Sequence, residues 1–378
     1  MQREMMRNSI DRQINTWKQK KRGGYLLASL LLLLALFCPP ASLKASDWGG
    51  LQIGGAADLI ADFGFKDANR DRKLNVRSVE LMLYGPTDHL FEGVLSFAAH
   101  EYQGEFNLGL HEAFIKSSRL IPRTRFQIGQ FFLGVGRLNA LHQHDWPFID
   151  SPLTQAQFFD GEGIIDSGLE VAWLSPLPFY MDLTVGVTNG WRITHSHGDA
   201  GKKPSFPTHY AKLEFFQDLP AGGGLLWALN YLGRRDSDKT WLRLAGAHAV
   251  AKWREANFLR VLLQAEVWAR FLKPQGVASE NQLGGYLYAQ YGWSPLISTG
   301  LRFDMLSSLS LKDLDQKSVP NHQMQFSPQI NFSVSEMAVF RAGYSYLRDF
   351  QRGRSTGHEH QILLQSIFIL GAHPAHDF

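Results

Sequence analysis

Along most of the chain, hydrophobic positions recur with a period of two. Over 259–271, Leu259, Val261, Leu263, Ala265, Val267, Ala269 and Phe271 form one row. Arg260, Gln264, Glu266 and Arg270 fall in the other row, with Leu262 and Trp268 among them. Phe179, Met181, Leu183, Val185 and Val187 alternate in the same way with Asp182 and Thr184. Ile297, Leu301, Phe303 and Met305 oppose Arg302 and Asp304, and Met324, Phe326, Ile330 and Phe332 oppose Gln325, Gln329 and Asn331. Alternation of this length is the mark of strands with one apolar and one polar face. About sixteen such segments can be laid out, from 51–63 to 359–370, with ends uncertain by about two to four residues. Pro328 falls inside one of them, where its missing N–H is an irregularity.

The links between segments alternate in length. Short turns occur at Pro86-Thr87-Asp88, Ile121-Pro122-Arg123, Asp218-Leu219-Pro220 and Ser294-Pro295-Leu296. Long polar links are expected at 66–73, 134–164, 190–207, 272–281, 307–321 and 348–358. Short turns at one end and long loops at the other predict an all-β fold, a transmembrane antiparallel β-barrel of about 16 strands with short periplasmic turns and long extracellular loops. Trp173, Phe179, Phe216, Trp227, Trp253, Phe258, Tyr291 and Trp293 flank the short turns. Such a girdle at one bilayer interface accounts for an aromatic content of 12%. A soluble β-sandwich gives no reason for aromatics to gather beside turns of one parity.

Composition changes the picture in three ways. Residues 18–22 are basic and are followed by an apolar run from Tyr25 to Phe37. That run is shorter than the about 20 residues of a spanning helix, so residues 1–45 read as a cleavable signal peptide and 46–378 as the barrel. Cys38, the chain's single cysteine, lies inside that signal, so thiolate chemistry is excluded from the mature protein. The signal also carries Arg3, Arg7, Arg12, Lys18, Lys20, Lys21, Arg22 and Lys44 against Glu4 and Asp11, so the overall charge of +3 turns mildly acidic once it is removed. No nucleic-acid partner is therefore expected. No serine stands in Gly-x-Ser-x-Gly, and the chain reads as a non-enzyme.

Loop 134–164, the third on the long side, runs to about thirty residues, a length that is usually functional. Its Trp, Phe and Pro content is unlike that of a solvated hairpin tip; the barrel lumen is available for it to pack in, and a lid folded over the barrel mouth is the competing reading. In the lumen it would form a constriction, with Arg137, His142, His144, Asp145 and Asp150 as candidate constriction residues. Inward charges are expected at Arg125, Lys212, Arg243, Arg260, Arg270, Arg302 and Arg341, against Glu80, Glu170, Asp182, Glu214, Glu266 and Asp304.

All fourteen histidines lie beyond the signal. His142 and His144, His195 and His197, and His358 and His360 form H-x-H pairs in the expected long loops, the first two pairs being the candidate metal ligands. In an extended segment such a pair places both imidazoles on one side, suited to zinc or copper, with Asp145 or Asp199 as an added carboxylate. Solvated loop histidines are the competing reading. No other cofactor is expected.

Several motifs carry a family resemblance. They are Gln130-Phe131-Phe132, the run Gly134-Val135-Gly136-Arg137-Leu138-Asn139, His142-x-His144-x-Trp146 and Asp150-x-Pro152-Leu153. Gly168-Leu169-Glu170-Val171, Pro178-Phe179, Gly186-Val187-Thr188-Asn189-Gly190 and the ending Gly371-Ala372-His373-Pro374-Ala375-His376 belong with them. Together they resemble porin-type outer-membrane β-barrel proteins related to the phosphate-selective porins, in a branch linked to zinc. The resemblance covers about residues 107–190 and the C-terminus. It implies a sixteen-stranded barrel with the third long loop inside, in the outer membrane of a Gram-negative-type bacterium. It does not carry phosphate selectivity, because the inward charges here are mixed.

The expected function is a porin forming a passive diffusion channel for small hydrophilic solutes or ions. The alternative is an outer-membrane channel or receptor specialised for zinc or another divalent metal. Membrane lipid surrounds the barrel in either case. Small residues at Gly246, Ala265 and Ala269 suggest a flatter wall for a homotrimer contact.

Overall fold

The computed structural model describes residues 50–64, 74–102, 105–159, 161–190, 204–237, 239–256, 258–276, 279–309, 321–351 and 354–372. The expected signal peptide lies outside these residues, and so do His195 and His197. The first eight strands are β1 (Gln52–Gly64), β2 (Leu74–Pro86), β3 (Glu92–Tyr102), β4 (Glu105–Ile121), β5 (Thr124–Phe132), β6 (Ile165–Leu174), β7 (Tyr180–Thr188) and β8 (Pro204–Leu219). The second eight are β9 (Gly223–Asp236), β10 (Trp241–Glu255), β11 (Phe258–Lys273), β12 (Glu280–Gly292), β13 (Ile297–Ser308), β14 (Asn321–Ser335), β15 (Ala338–Gln351) and β16 (Arg354–Gly371). A short helix, α1 (Leu153–Phe158), interrupts the β pattern between β5 and β6.

Each strand pairs antiparallel with its sequence neighbours, and β1 closes on β16 through Gly54↔Gly371 to Gly64↔Gln361. Closure removes both sheet edges, which a bilayer requires because unpaired backbone groups have no water there. The start of β1 and the end of β16 lie at the short-turn end, where the Ile369 amide bonds the Met337 carbonyl of the β14–β15 turn at 2.8 Å. Leu81, Ile128, Val187, Leu229, Leu263, Leu287, Phe303 and Ile330 are exposed on the outer face, an apolar belt that only lipid would cover. Trp173, Phe179, Tyr291 and Trp293 are exposed at the short-turn rim, and Phe215 stacks on Trp227 with ring centroids 4.3 Å apart.

Some long links are shorter than expected. Residues 348–358 are mostly strand, since β15 reaches Gln351 and β16 begins at Arg354. The ladder continues there through Arg348↔His358. Alternation fades in this stretch because both faces are polar beyond the lipid, although the backbone pairing goes on. Pro328 is accommodated opposite Leu301 of β13, while the β14–β15 ladder is interrupted between Phe326 and Gln329.

Among the register shifts of the described strands, three β-bulges re-aim charged or imidazole side chains at the lumen or its rim. In the β1–β2 ladder, Asp58 pairs Ser78 and Leu59 pairs Val76, leaving Arg77 as the extra residue. In β3–β4, Ser96 pairs Glu112 and Phe97 pairs Leu110, leaving His111. In β10–β11, Trp253 pairs Val261 and Arg254 pairs Leu259, leaving Arg260. A bulge breaks the period of two and re-aims one side chain. It turns Arg77 onto inward Asp58 and puts His111 on the same side as Glu112.

Candidate pore constriction

Loop 133–164 runs inside the barrel. Its two ends continue the β5–β6 ladder, with the Leu133 amide 3.0 Å from the Ile164 carbonyl. Asn139 ties the ends together: its Nδ2 donates to the Leu133 carbonyl at 2.7 Å, and its Oδ1 accepts from the Ile164 amide at 2.6 Å.

The first part of the loop presents amides to acidic or amide oxygens of the wall. The Gly134 amide donates to Glu170 Oε2 on β6 at 3.0 Å and the Gly136 amide to Asn230 Oδ1 on β9 at 2.9 Å. The Arg137 amide donates to Glu266 Oε1 on β11 at 3.0 Å. Gly136 has φ +75°, and a Cβ there would stand 2.6 Å from Glu266 Oε1, so both the conformation and the space call for glycine.

The next part presents carbonyls to donors on the facing wall, four in succession. Tyr288 and Gln329 donate to the Pro147 carbonyl at 3.0 and 2.8 Å. Arg341 donates to Phe148 at 3.4 Å, Arg77 to Ile149 at 2.5 Å and Arg302 to Asp150 at 2.6 Å. The loop is thus slung between an oxygen-bearing wall and an arginine-bearing wall, with its backbone polarity matched to each.

Apolar packing fills the space between. Leu133, Val135, Phe158, Phe159 and Ile164 meet Tyr210, Leu232, Leu242, Leu244 and Trp268 of the wall. Leu138, Trp146 and Phe148 meet Val250, Leu262, Tyr286 and Tyr288. Each large side chain buried in this way contributes about 1.5–3 kcal/mol. The Trp146 indole N–H is also shared between the carbonyls of Leu138 and Leu141, at 3.3 and 3.2 Å.

A cluster of histidines and carboxylates closes the arrangement beside β2 and β4. His142 lies between two acids, with Nδ1 2.8 Å from Glu80 Oε2 and Nε2 3.2 Å from Glu112 Oε2. Burial opposes protonation of His142, but Glu80 and Glu112 outweigh it and hold the imidazole well above its ordinary range. His144 Nδ1 reaches the other Glu80 oxygen at 3.3 Å, and its ring stacks on His142 at 5.5 Å. Behind them His111 Nε2 is 3.0 Å from His100 Nε2, and His100 Nδ1 is 3.1 Å from Glu162 Oε1.

The five residues expected at the constriction, Arg137, His142, His144, Asp145 and Asp150, all lie on this lumenal loop. Glu266, Arg270, Arg302, Asp304 and Arg341, expected as inward charges, lie on the inner rows of β11, β13 and β15. Arg270 donates to Gln282 at 2.5 Å, and Arg302 and Asp304 pair at 2.7 Å with no solvent exposure. Arg125 shares the inward row of β5 with Gln127, opposite inward Ala172 of β6.

Of the residues expected as ligands, His142 belongs to a compact group with Glu80 and His111, while His144 stands outside that group. His195 and His197, expected as a second metal-binding pair, fall in 191–203, outside the described residues. Within the described residues, the second imidazole of the group comes from His111 on β4.

Two charges are placed differently. Arg243 points outward, 5.1 Å from the Trp241 ring. The inner row of β10 is Leu242, Leu244, Gly246, His248 and Val250, apolar because the loop packs on it, so the usual alternation is inverted on that strand. For the same reason Gly246 lies inside, beneath Trp268, and is no part of an outer contact wall. Arg260, the bulge residue, sits at the short-turn rim, paired with Glu255 at 2.5 Å and stacked 4.8 Å from Phe258.

Sequence reasoning missed Arg77, His100, His111, Glu112 and Tyr288, and it placed Gln329 in a polar row without a role. A signal for His111 exists: the outward row Phe106, Leu108, Leu110 resumes one residue out of phase at Ala113 and Ile115.

The chain matches no protein-family model. It is 26% identical over 341 residues to an uncharacterised protein of Aquifex aeolicus (strain VF5), covering 82% of this chain and 71% of that one. Among solved structures it is similar to the anion-selective porin of Comamonas acidovorans, with TM-score 0.58, 9% identity, and 85% and 99% of the two chains covered. It is also similar to the outer-membrane channel DcaP of Acinetobacter baumannii, with TM-score 0.57, 13% identity, and 85% and 97% covered. Pseudomonas putida OprB gives TM-score 0.58 at 10% identity, with 88% and 96% covered. The fold is therefore the porin-like barrel, and its structural neighbours are outer-membrane porins and channels.

Proposed function

We propose that the chain is an outer-membrane porin, a passive diffusion channel for small hydrophilic solutes or ions whose aperture is set by loop 134–164. The observation that carries this reading is the loop's suspension across the lumen between opposite walls. A barrel of sixteen strands is wide enough for an aqueous lumen, and an inserted loop narrows it. The structural neighbours described as a porin and a channel support the same role. Residues 1–45 serve as the export signal, and lipid covers the outer apolar belt. Ala265 and Ala269 remain on the outer face as a flat patch for a homotrimer, an assembly named for one neighbour, the trimer form of Vibrio cholerae OmpT.

The charges near the loop are mixed. Arg77, Arg302 and Arg341 stand with Asp58, Asp150 and Asp304, and Glu80 and Glu112 stand with His142 and His144. A lining of mixed, locally paired charges gives weak ion preference. A continuous arginine ladder of the kind phosphate selectivity needs does not emerge from these pairs.

A second reading, a channel specialised for a divalent metal, is favoured by the His142 cluster. Proteoliposome swelling with uncharged sugars of rising size, together with reversal potentials in KCl gradients, tests the first reading. Swelling with a sharp size limit and a small reversal potential is the expected result. No swelling from folded, inserted protein would contradict it.

A further inference from the structure

We infer that Glu80, His111 and His142 form a divalent-metal site, zinc being the ion their chemistry suits, which ties the lumenal loop to the barrel wall. One carboxylate oxygen and two ring nitrogens from these residues lie within 4.8 Å of one another, and all three residues are buried. Tetrahedral zinc with bonds of about 2.0–2.1 Å spaces its ligand atoms about 3.3 Å apart, so small side-chain shifts complete the set. Two imidazoles and a carboxylate are a recognised zinc donor set that leaves a fourth position open.

The surroundings are those of ligands held in place. His142 Nε2 lies 3.2 Å from Glu112 Oε2, so its N–H is given to a carboxylate and Nδ1 is turned to Glu80, 2.8 Å away. That carboxylate–imidazole pairing orients metal-binding histidines generally. Glu80 is fixed through its other oxygen by His144 at 3.3 Å, and His111 through Nε2 by His100 at 3.0 Å. Phe132 packs edge-on against both His142 and His111, at 5.0 and 6.1 Å. The three ligands come from β2, from the bulge of β4 and from the loop, and the bulge is what brings His111 to the lumen. The H-x-H pair thus divides its roles: His142 ligates, and His144 buttresses the carboxylate. With an open fourth position and no thiolate, the ion exchanges with the lumen.

The site deepens the divalent-metal reading, and its binding can be measured without any current. Full-length mature protein, refolded in detergent, is titrated with ZnCl2 by calorimetry, and Co2+ is used as a visible-absorption probe. Wild type should bind with tetrahedral Co2+ bands. H111N and H142N, checked for folding by circular dichroism, should each weaken that binding on the order of 100-fold or more. H209A should leave it unchanged. Equal binding in all four proteins, or none by folded wild type, would overturn the site. In planar bilayers, micromolar zinc should alter wild-type current and spare H142N. Absence of any current from a barrel that binds zinc would count against the channel and leave the site standing.

Discussion

Arg302 of β13 holds Asp150 of the loop twice, through the backbone carbonyl at 2.6 Å and the side-chain carboxylate at 3.0 Å. Arg302 is fully buried and also pairs with Asp304 at 2.7 Å, while Gln325 donates to Asp150 at 2.6 Å. The guanidinium therefore serves as a joint between wall and loop, and its planar donor fork suits several oxygens at once.

Removing that joint leaves Asp304 buried without its partner. Arg302→Ala should destabilise the barrel by about 3–5 kcal/mol, the usual effect of breaking a buried pair from one side. Urea midpoints in detergent or vesicles measure it. Adding Asp304→Asn should recover part of the loss, and an additive double variant would contradict the coupling.

Gly136 tests the other wall. A side chain there meets Glu266 and must adopt a left-handed backbone, so Gly136→Val should dislodge the loop's amides from Asn230 and Glu266. The expected cost is about 1–3 kcal/mol. Limited proteolysis within 134–164 should become faster while the barrel core stays resistant.

The outer belt is tested at Leu287, which is exposed near the middle of β12. Leu287→Arg should cost about 2–4 kcal/mol in a bilayer, the depth-dependent cost of a charge facing lipid. Folding titrations in phospholipid vesicles check this, and an unchanged midpoint would contradict a lipid-facing Leu287.

The β2–β3 turn offers a pH test. Asp88 accepts the amides of Leu90 and Phe91 at 2.7 and 2.8 Å, and these bonds hold its carboxyl below the ordinary aspartate range. A depressed pKa contributes stability that is present above the unfolded value and is lost as pH falls through the folded one. Asp88→Ala should therefore lower the urea midpoint at neutral pH, with the gap to wild type closing below about pH 4. A gap of constant size would show that the carboxylate contributes nothing.

Much of this fold is legible in the sequence because lipid imposes one rule on every strand: apolar out, polar in. Residues 261–271 keep their apolar row outward, and Glu266 and Arg270 face inward as their row requires. The rule fails where a second packing partner appears. On β10 the loop supplies an apolar neighbour inside, so Leu242 and Leu244 turn inward and Arg243 is sent out. It fails again at bulges, where one extra residue reverses the phase. Arg77, His111 and Arg260 are the extra residues, and the first two belong to the site. The loop's length and aromatic content pointed to the lumen. Its partners did not emerge, because Glu80, Glu112, Arg77 and Tyr288 are brought to it by barrel closure and not by sequence spacing. The H-x-H spacing marked His142 for the same reason that it marked His195 and His197, and spacing alone does not show which histidine meets a carboxylate.

Single-channel conductance of the refolded mature protein in a planar bilayer, beside a variant with residues 140–158 replaced by a Gly–Ser linker, tests most directly whether loop 134–164 sets the aperture. The structure predicts stable ohmic steps from both proteins, larger in the variant. Equal steps, or no steps from wild type shown to be folded and inserted, would contradict it.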